Sequence, residues 1–513
     1  MSFSLVKELS FKIIDEFETA RKDRTQIFEI LDANLGSDYK IKPLAVAKVK
    51  NAKITKLYKS QIAAAFGNSF TSNASILHNS SRSKNFSYGV IANHSSNKYF
   101  PSQNIVKNSK NSMSLYAKKV NVSNIFMLNM EYDRRSSLYF NQDVAFSLLE
   151  KEDYRNRFAY TKLSFSAISL SDAKDALKHH TIVSISDLNE LSENQLYLFS
   201  NLSKTTFNNF TYNLGIDFDN YFRYNNSDSK VENSSLKKLT LSPSSSFKRF
   251  DFNFDIGFDV TTLNNLPVEF FPEVKITKEL VNDILLVYGG VNHHEHTHTI
   301  KSLSDENPYI HSFGTNQYIL VDSVFTHELS NTDIQSLYFG IKNFLSKNEV
   351  LEINSSYGFI KNFSHFIPVA TQNYNRFKIQ YFDQNVRQLH LNVNYSKQFN
   401  KIIIVQGDID YYDWDVEVHH RANLTANISA LINLRDKIKL DPSISYLGRR
   451  TVFDNTNLEL PEIIHVDLDF YYFYSNQISA SLQLNNLTNS KQDVWLGYRE
   501  LAFNAQIGVN FSF

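Results

Sequence analysis

At 513 residues the chain is long enough for several soluble domains or for one very large closed sheet. Lysine plus arginine and aspartate plus glutamate balance at 53 each, which removes the basic signal of a nucleic-acid binder and any acidic tail. Cysteine is absent, so disulfides and thiolate metal sites are excluded, and the composition suits an oxidising compartment.

Aromatic residues make up 14% of the chain, as 41 Phe, 28 Tyr and 2 Trp. No apolar run approaches the ~18 residues of a spanning helix; Ile284-Leu285-Leu286-Val287-Tyr288 is about as long as they get. The start, Met1 to Glu8, has neither a basic cluster nor an apolar core, and we read it as a mature or trimmed start.

Residues 1–56 read as an extended, charged N-terminal segment with a short helix in its middle, expected on the periplasmic side without a plug-like domain. From Leu57 to Phe513 the pattern becomes strand, turn, strand. Phe252, Phe254, Ile256, Phe258 and Val260 alternate with Asp251, Asn253, Asp255, Gly257 and Asp259. Leu389, Leu391, Val393 and Tyr395 alternate with His390, Asn392 and Asn394. The runs 423–434 and 464–474 do the same, with only Leu431 out of step. At the C-terminus, Phe503, Ala505, Ile507, Val509, Phe511 and Phe513 alternate with polar residues or glycine. A strand sends successive side chains to opposite faces, so each run has one apolar and one polar face.

Runs of about ten residues suit tilted strands crossing hydrocarbon. Short polar turns are expected at Arg82-Ser-Lys-Asn, Val281-Asn-Asp, Phe399-Asn-Lys and Arg435-Asp-Lys. Long polar loops are expected around 94–112, 137–155, 222–236, 293–325 and 448–460. Short turns at one end and long loops at the other is the asymmetry of outer-membrane barrels. The expected fold is all-β: a large antiparallel transmembrane β-barrel of about 20–22 strands, with 22 the best count and both termini periplasmic. Glycine is scarce, at 14, so Asn, Asp and Ser must serve the tight turns. The competing fold is a soluble propeller or sandwich, which needs an apolar interior and a polar exterior.

Residues 486–498, Asn-Leu-Thr-Asn-Ser-Lys-Gln-Asp-Val-Trp-Leu-Gly-Tyr, followed by the final strand, resemble the C-terminal end of TonB-dependent receptors. The stretch from Arg82 to Ser96, Arg-Ser-Lys-Asn-Phe-Ser-Tyr-Gly-Val-Ile-Ala-Asn-His-Ser-Ser, is similar to an early hairpin of Bacteroidetes-type members, and Leu303 to Ile310 to a mid-chain loop. The resemblance covers about 57–513 and implies a receptor or channel component for solute uptake in the bacterial outer membrane. It implies outer-membrane lipid as a partner, another outer-membrane or periplasmic protein as a further one, and no nucleic acid. Such receptors carry a plug of over a hundred residues ahead of the barrel, whereas about 56 residues precede it here. The alternative function is a structural or docking subunit of an outer-membrane complex.

No enzyme is expected, because no nucleophile elbow, dinucleotide turn or P-loop is present, and no cofactor is expected. His294-Glu295-x-x-His298 matches the letters of a zinc-protease motif, but that motif works on a helix. On a strand at ~3.3 Å per residue, the two histidines stand ~13 Å apart. His294, His296 and His298 on one strand face remain candidates for a surface metal site. Tyr411, Tyr412 and Trp414 are candidates for stacking on a ligand ring, against the alternative of an interfacial girdle. Asp255, Asp259, Asp408, Asp410, Asp467 and Asp469 are expected to line the lumen.

Overall fold

The computed structural model describes residues 58–513, apart from 81–82, 84, 100–105, 139–154, 172, 174, 190–192, 207–208, 225–233, 265, 311–328, 371–374 and 453–457. The expected segment 1–56 lies outside the described residues, as do parts of the turn at 82–85 and of several long loops.

Twenty-two strands form one antiparallel sheet that closes on itself. The first strand, Ser60–Gly67, pairs with the second, Ser72–Asn79, on one side and with the last, Asn504–Ser512, on the other, with Ala64 opposite both Ala74 and Val509. Closure leaves no sheet edge unpaired, which is the condition for strands to stand in hydrocarbon. Among the described residues no helix is long and apolar enough to cross a membrane.

The apolar faces point outward. In the last strand Ile507, Val509 and Phe511 are exposed, while Asn504 and Gln506 are buried. Ile256, Phe258, Leu337, Phe339, Ile353 and Ile428 are likewise exposed on the outer wall. A soluble barrel would invert this arrangement, so the alternation describes a barrel whose solvent is lipid.

Both termini of the barrel sheet share one end with most of its short turns, while the four-residue turn between Ser60–Gly67 and Ser72–Asn79 lies at the other. Turns of two or three residues join Ser234–Arg249 to Phe252–Leu263, Glu269–Val281 to Leu285–Thr297, Val386–Phe399 to Ile403–Trp414, and Leu424–Leu434 to Ile438–Leu447. As the scarcity of glycine requires, left-handed backbone is carried by Asp251 (φ 62°), Asp283 (59°), Asn400 (57°) and Asp436 (55°), with Phe250 and Arg435 completing two of the turns.

The opposite end departs from expectation in two places. Most of 94–112 is strand, because Phe86–Tyr99 and Val106–Val120 stay paired out to Tyr99 and Val106. Above the hydrocarbon a strand needs no apolar outer face, so its polar composition resembled a loop. The polar stretch from 293 likewise stays in strand to Thr297 and then enters the helix Ile300–Glu306.

Candidate functional site

The loops at the long end turn inward and pack on one another. Four short elements build this layer: the helix Ile300–Glu306, the hairpin Ser364–Ala370 with Asn375–Tyr381, the pair Arg450–Thr451 with Glu459–Leu460, and the hairpin Asp493–Trp495 with Tyr498–Arg499. The helix starts where Thr299 accepts from the Ser302 amide and the Ser302 hydroxyl lies 2.9 Å from the Thr299 amide, a reciprocal cap. Its first amide, Ile300 N–H, donates to the buried Glu193 carboxylate at 2.7 Å.

The helix is tied to the inner wall well away from the strand that delivers it. Lys301 lies 3.7 Å from Asp133, Arg135 lies 3.4 Å from Asp305, and the Asn156 side-chain amide donates to the carbonyls of Pro308 (2.8 Å) and Ile310 (3.1 Å). Ile310 then bridges to Phe377 of the hairpin, whose N–H donates to Tyr309 O at 3.2 Å. Around that bridge, Tyr309 stacks on Tyr498 at 3.6 Å, and Phe377 lies 5.3 Å from Trp495 and 6.1 Å from Tyr498. Leu303, Ile310, Phe366 and Phe377 are 0–1% exposed, and the core they form includes Val106, Phe158, Leu188 and Ile463 from the barrel wall. It therefore reaches from one side of the mouth to the other as an apolar cap. Burial on this scale is what holds separate loops in one arrangement.

Several buried polar groups inside the cap hydrogen-bond to backbone carbonyls or a hydroxyl. Arg450, 3% exposed, donates to the carbonyls of Val494 (2.6 Å), Pro461 (3.2 Å) and Asp493 (3.2 Å). Burial lowers its pKa to about 10, against the opposing pull of Glu500 and Asp493. His420 has Nδ1 3.0 Å from Phe366 O; a carbonyl only accepts, so Nδ1 carries the proton. His298 Nε2 lies 2.8 Å from the Thr332 hydroxyl, which itself donates to Asn362 O, so Nε2 is the donor there. Burial holds both imidazoles down to about 3, with neighbouring Arg450 and Arg421 respectively acting in the same direction.

The motif 486–498 has a structural explanation. Asn486, with φ 52°, donates its backbone N–H to Asp467 Oδ1 at 2.7 Å. Its side-chain amide donates to Ser490 O and Leu501 O, both at 2.9 Å, and its Oδ1 accepts from Thr488 Oγ1 at 2.9 Å and Ser490 N–H at 3.0 Å. Gly497, at φ 79°, makes the turn that delivers Trp495 and Tyr498 to the cap core.

Below the cap the lumen is polar. Asp408 and Asp410 alternate with the exposed Ile409 and Tyr411, and the carboxylates are held by Asn392 (3.2 and 3.0 Å) and His390 (2.7 Å) on the adjacent strand. Asp467 and Asp469 continue this wall, with Asp441 directly opposite Asp469. Asp255 and Asp259 stand on the strand Phe252–Leu263, where Asp259 lies 3.6 Å from His293. A recess of about 560 Å³ includes Asp217, Lys238, Ser242, Asp259, His293 and Glu295 in its lining.

The ring candidates divide between the two faces of one strand. Tyr411 is exposed on the outer wall. Tyr412 and Trp414 stack on each other at 5.4 Å, and His390 stacks on Tyr412 at 4.3 Å. These rings occupy one another and meet Phe363 under the cap at 5.9 Å, so two of the three are not girdle residues. Of the metal candidates, His294 and His296 stand on the strand Leu285–Thr297, and His298 follows it. The rings of His296 and His298 meet edge to face at 4.6 Å. Among the described residues no group of three or more His, Cys, Asp or Glu could hold a metal ion. Sequence reasoning misses Phe366 and Phe377, which carry no periodic signal. Trp495, Leu303 and Ile310 stand in the stretches that carry the resemblance, but nothing in the sequence marks them as core.

The class this geometry defines is a large, closed, lipid-facing β-barrel. No family model matches the chain, and no curated protein matches it by sequence. Solved structures do match in fold. The FrpB iron transporter from Neisseria meningitidis superposes with a TM-score of 0.66 at 10% identity, over 90% of this chain and 82% of that one. The siderophore receptor PirA from Acinetobacter baumannii gives 0.65 at 11%, over 90% and 81%. A ferric enterobactin receptor mutant from Pseudomonas aeruginosa gives 0.63 at 10%, over 88% and 80%.

Proposed function

We propose that this chain is an outer-membrane receptor barrel for solute uptake, of the kind its structural neighbours' names describe, with its extracellular mouth closed by the loop cap. The carrying observation is the closed 22-strand wall, apolar outside and acid-lined within, which superposes on a siderophore receptor and an iron transporter over most of its length. A wall of this circumference encloses a passage wide enough for a bulky solute. The long-loop end is then extracellular, and the short-turn end with both barrel termini is periplasmic. The neighbours' solutes make a metal-chelate the substrate class to try first.

A second reading is favoured by the cap itself. Loops packed into a continuous core suit a docking subunit whose lumen never opens. Single-channel recording of the purified chain in a planar bilayer separates the two, together with binding of ferric-catecholate chelates to the inserted protein. Chelate binding with openings that follow it supports uptake. A silent protein that has inserted and binds no chelate overturns uptake in favour of docking.

A further inference from the structure

We propose that the loop cap is an acid-operated gate, in which the buried histidines His298 and His420 hold it shut while neutral and drive it open when protonated. The inference deepens the uptake reading by giving its mouth a trigger, and it rests on that reading only for what passes through.

Four of the chain's 15 histidines are gathered in this one layer, at 4%, 4%, 1% and 7% exposure respectively. They come from three separate connections, so they act on the joints between loops. His298 follows the strand Leu285–Thr297 and meets Tyr381 of the hairpin edge-on at 5.6 Å. His365, in that hairpin, meets His419 edge-on at 4.9 Å. His420 stacks on Trp495 at 5.3 Å and meets Phe377 edge-on at 5.1 Å. Beside the hydrogen bonds of His298 Nε2 to Thr332 and of His420 Nδ1 to Phe366 O, these contacts are ring against ring, and a proton added at the buried Nε2 of His420 finds no acceptor among the described residues in place of its lost hydration.

The charges facing these rings oppose protonation. Arg450 stands on the pair beside His420, and His419 and His365 add to it from their own loops. Arg421 and His296 face His298. The nearby carboxylates are engaged: Glu306 holds Arg421 at 3.3 Å, Asp493 and Glu500 stabilise Arg450, and Glu500 is also hydrogen-bonded to His465. A second cation beside Arg450 therefore meets repulsion without a free counter-charge of its own.

The sign follows from proton counting. His298 and His420 have closed-state values near 3, while an imidazole released to water titrates near 6.5. The closed cap thus binds fewer protons than the open one. Closure has its full strength above pH ~6.5 and weakens about tenfold per pH unit for each of the two histidines as the pH falls toward ~3. At pH ~4.5, about two units down, the closing constant falls roughly ten-thousand-fold.

The two tryptophans make the test direct, since only Trp414 and Trp495 are present. In the Trp414→Phe variant, Trp495 alone reports from the cap core. Acrylamide quenching and bilayer conductance are followed from pH 7.5 to 4, with far-ultraviolet dichroism as the check on the barrel. The expected result is a shielded Trp495 at pH 7.5, quenching that rises several-fold with a midpoint between 3 and 6.5, conductance appearing over the same range, and an unchanged strand signal. Adding His298→Gln and His420→Asn is expected to flatten that dependence. A Trp495 that stays shielded and silent to pH 4, exposure that coincides with loss of the strand signal, or an unaltered midpoint in the histidine variant overturns the gate. Acid opening of a barrel that binds no chelate keeps the gate and sinks only the uptake reading.

Discussion

Truncating Phe377 to alanine is the sharpest perturbation of the cap. The ring is 0% exposed and lies 5.1 Å from His420, 5.3 Å from Trp495 and 6.1 Å from Tyr498, so its removal opens a void at the meeting point of three loops. Truncation of a buried Phe costs about 3–5 kcal/mol in lost transfer and cavity terms. The barrel wall gains nothing and loses nothing, so the whole difference falls on cap closure. At about 1.4 kcal/mol per factor of ten, that is roughly two to three and a half powers of ten in the ratio of open to closed caps. Hydrogen exchange reads this directly, because Phe377 N–H is bonded to Tyr309 O at 3.2 Å and is released when the loops part. In Phe377→Ala, peptides covering 375–381 and 493–499 should exchange at least a hundred times faster at neutral pH. Peptides from the wall strand Asn504–Ser512 should keep their wild-type rate. Wild-type exchange in the cap peptides, or acceleration spread equally through the wall, would refute the claim that these loops form one core separable from the barrel.

Ile507→Arg, on the outer wall, should lower folding stability in lipid vesicles by about 2–4 kcal/mol by urea titration. Ser443→Arg, on the lumen face beside Asp467, should move it by well under half of that; equal losses would contradict the assignment of faces. Gly497→Ala places a side chain at φ 79° and should loosen the Trp495 hairpin by about 1–2 kcal/mol, seen as red-shifted Trp495 emission. Phe250→Gly relieves a left-handed residue (φ 50°) in an exposed turn and should raise the unfolding midpoint, by about 0.5–1 kcal/mol once glycine's entropy is deducted.

The wall was legible because lipid imposes a rule on every second residue. Runs such as 252–260 and 503–513 kept that rule, and in the structure Ile256, Phe258, Ile507 and Val509 stand on the outer face. The turn chemistry was legible for the same local reason: with few glycines, Asp251, Asp283, Asn400 and Asp436 had to take left-handed backbone, and they do. Strand ends were less legible. Asn93 to Lys98 and Lys107 to Ser112 are polar on both faces, and without a lipid requirement their composition is that of a loop although their ladder is intact.

The cap is not legible because the contacts that join its loops are not local. Ile310 meets Phe377, Tyr309 meets Tyr498, and Val106, Leu188 and Ile463 come up from separate strands. Each loop supplies only a few apolar residues within a polar stretch, too few to mark a period and too few to bury themselves alone. That shortage is itself informative about mechanism. A loop that cannot form its own core closes only when its neighbours do, so the layer opens as a unit when any joint fails. One buried charge at His420 or one missing ring at Phe377 therefore reaches the helix Ile300–Glu306 through Tyr309 and Ile310, without any movement of the wall that carries them.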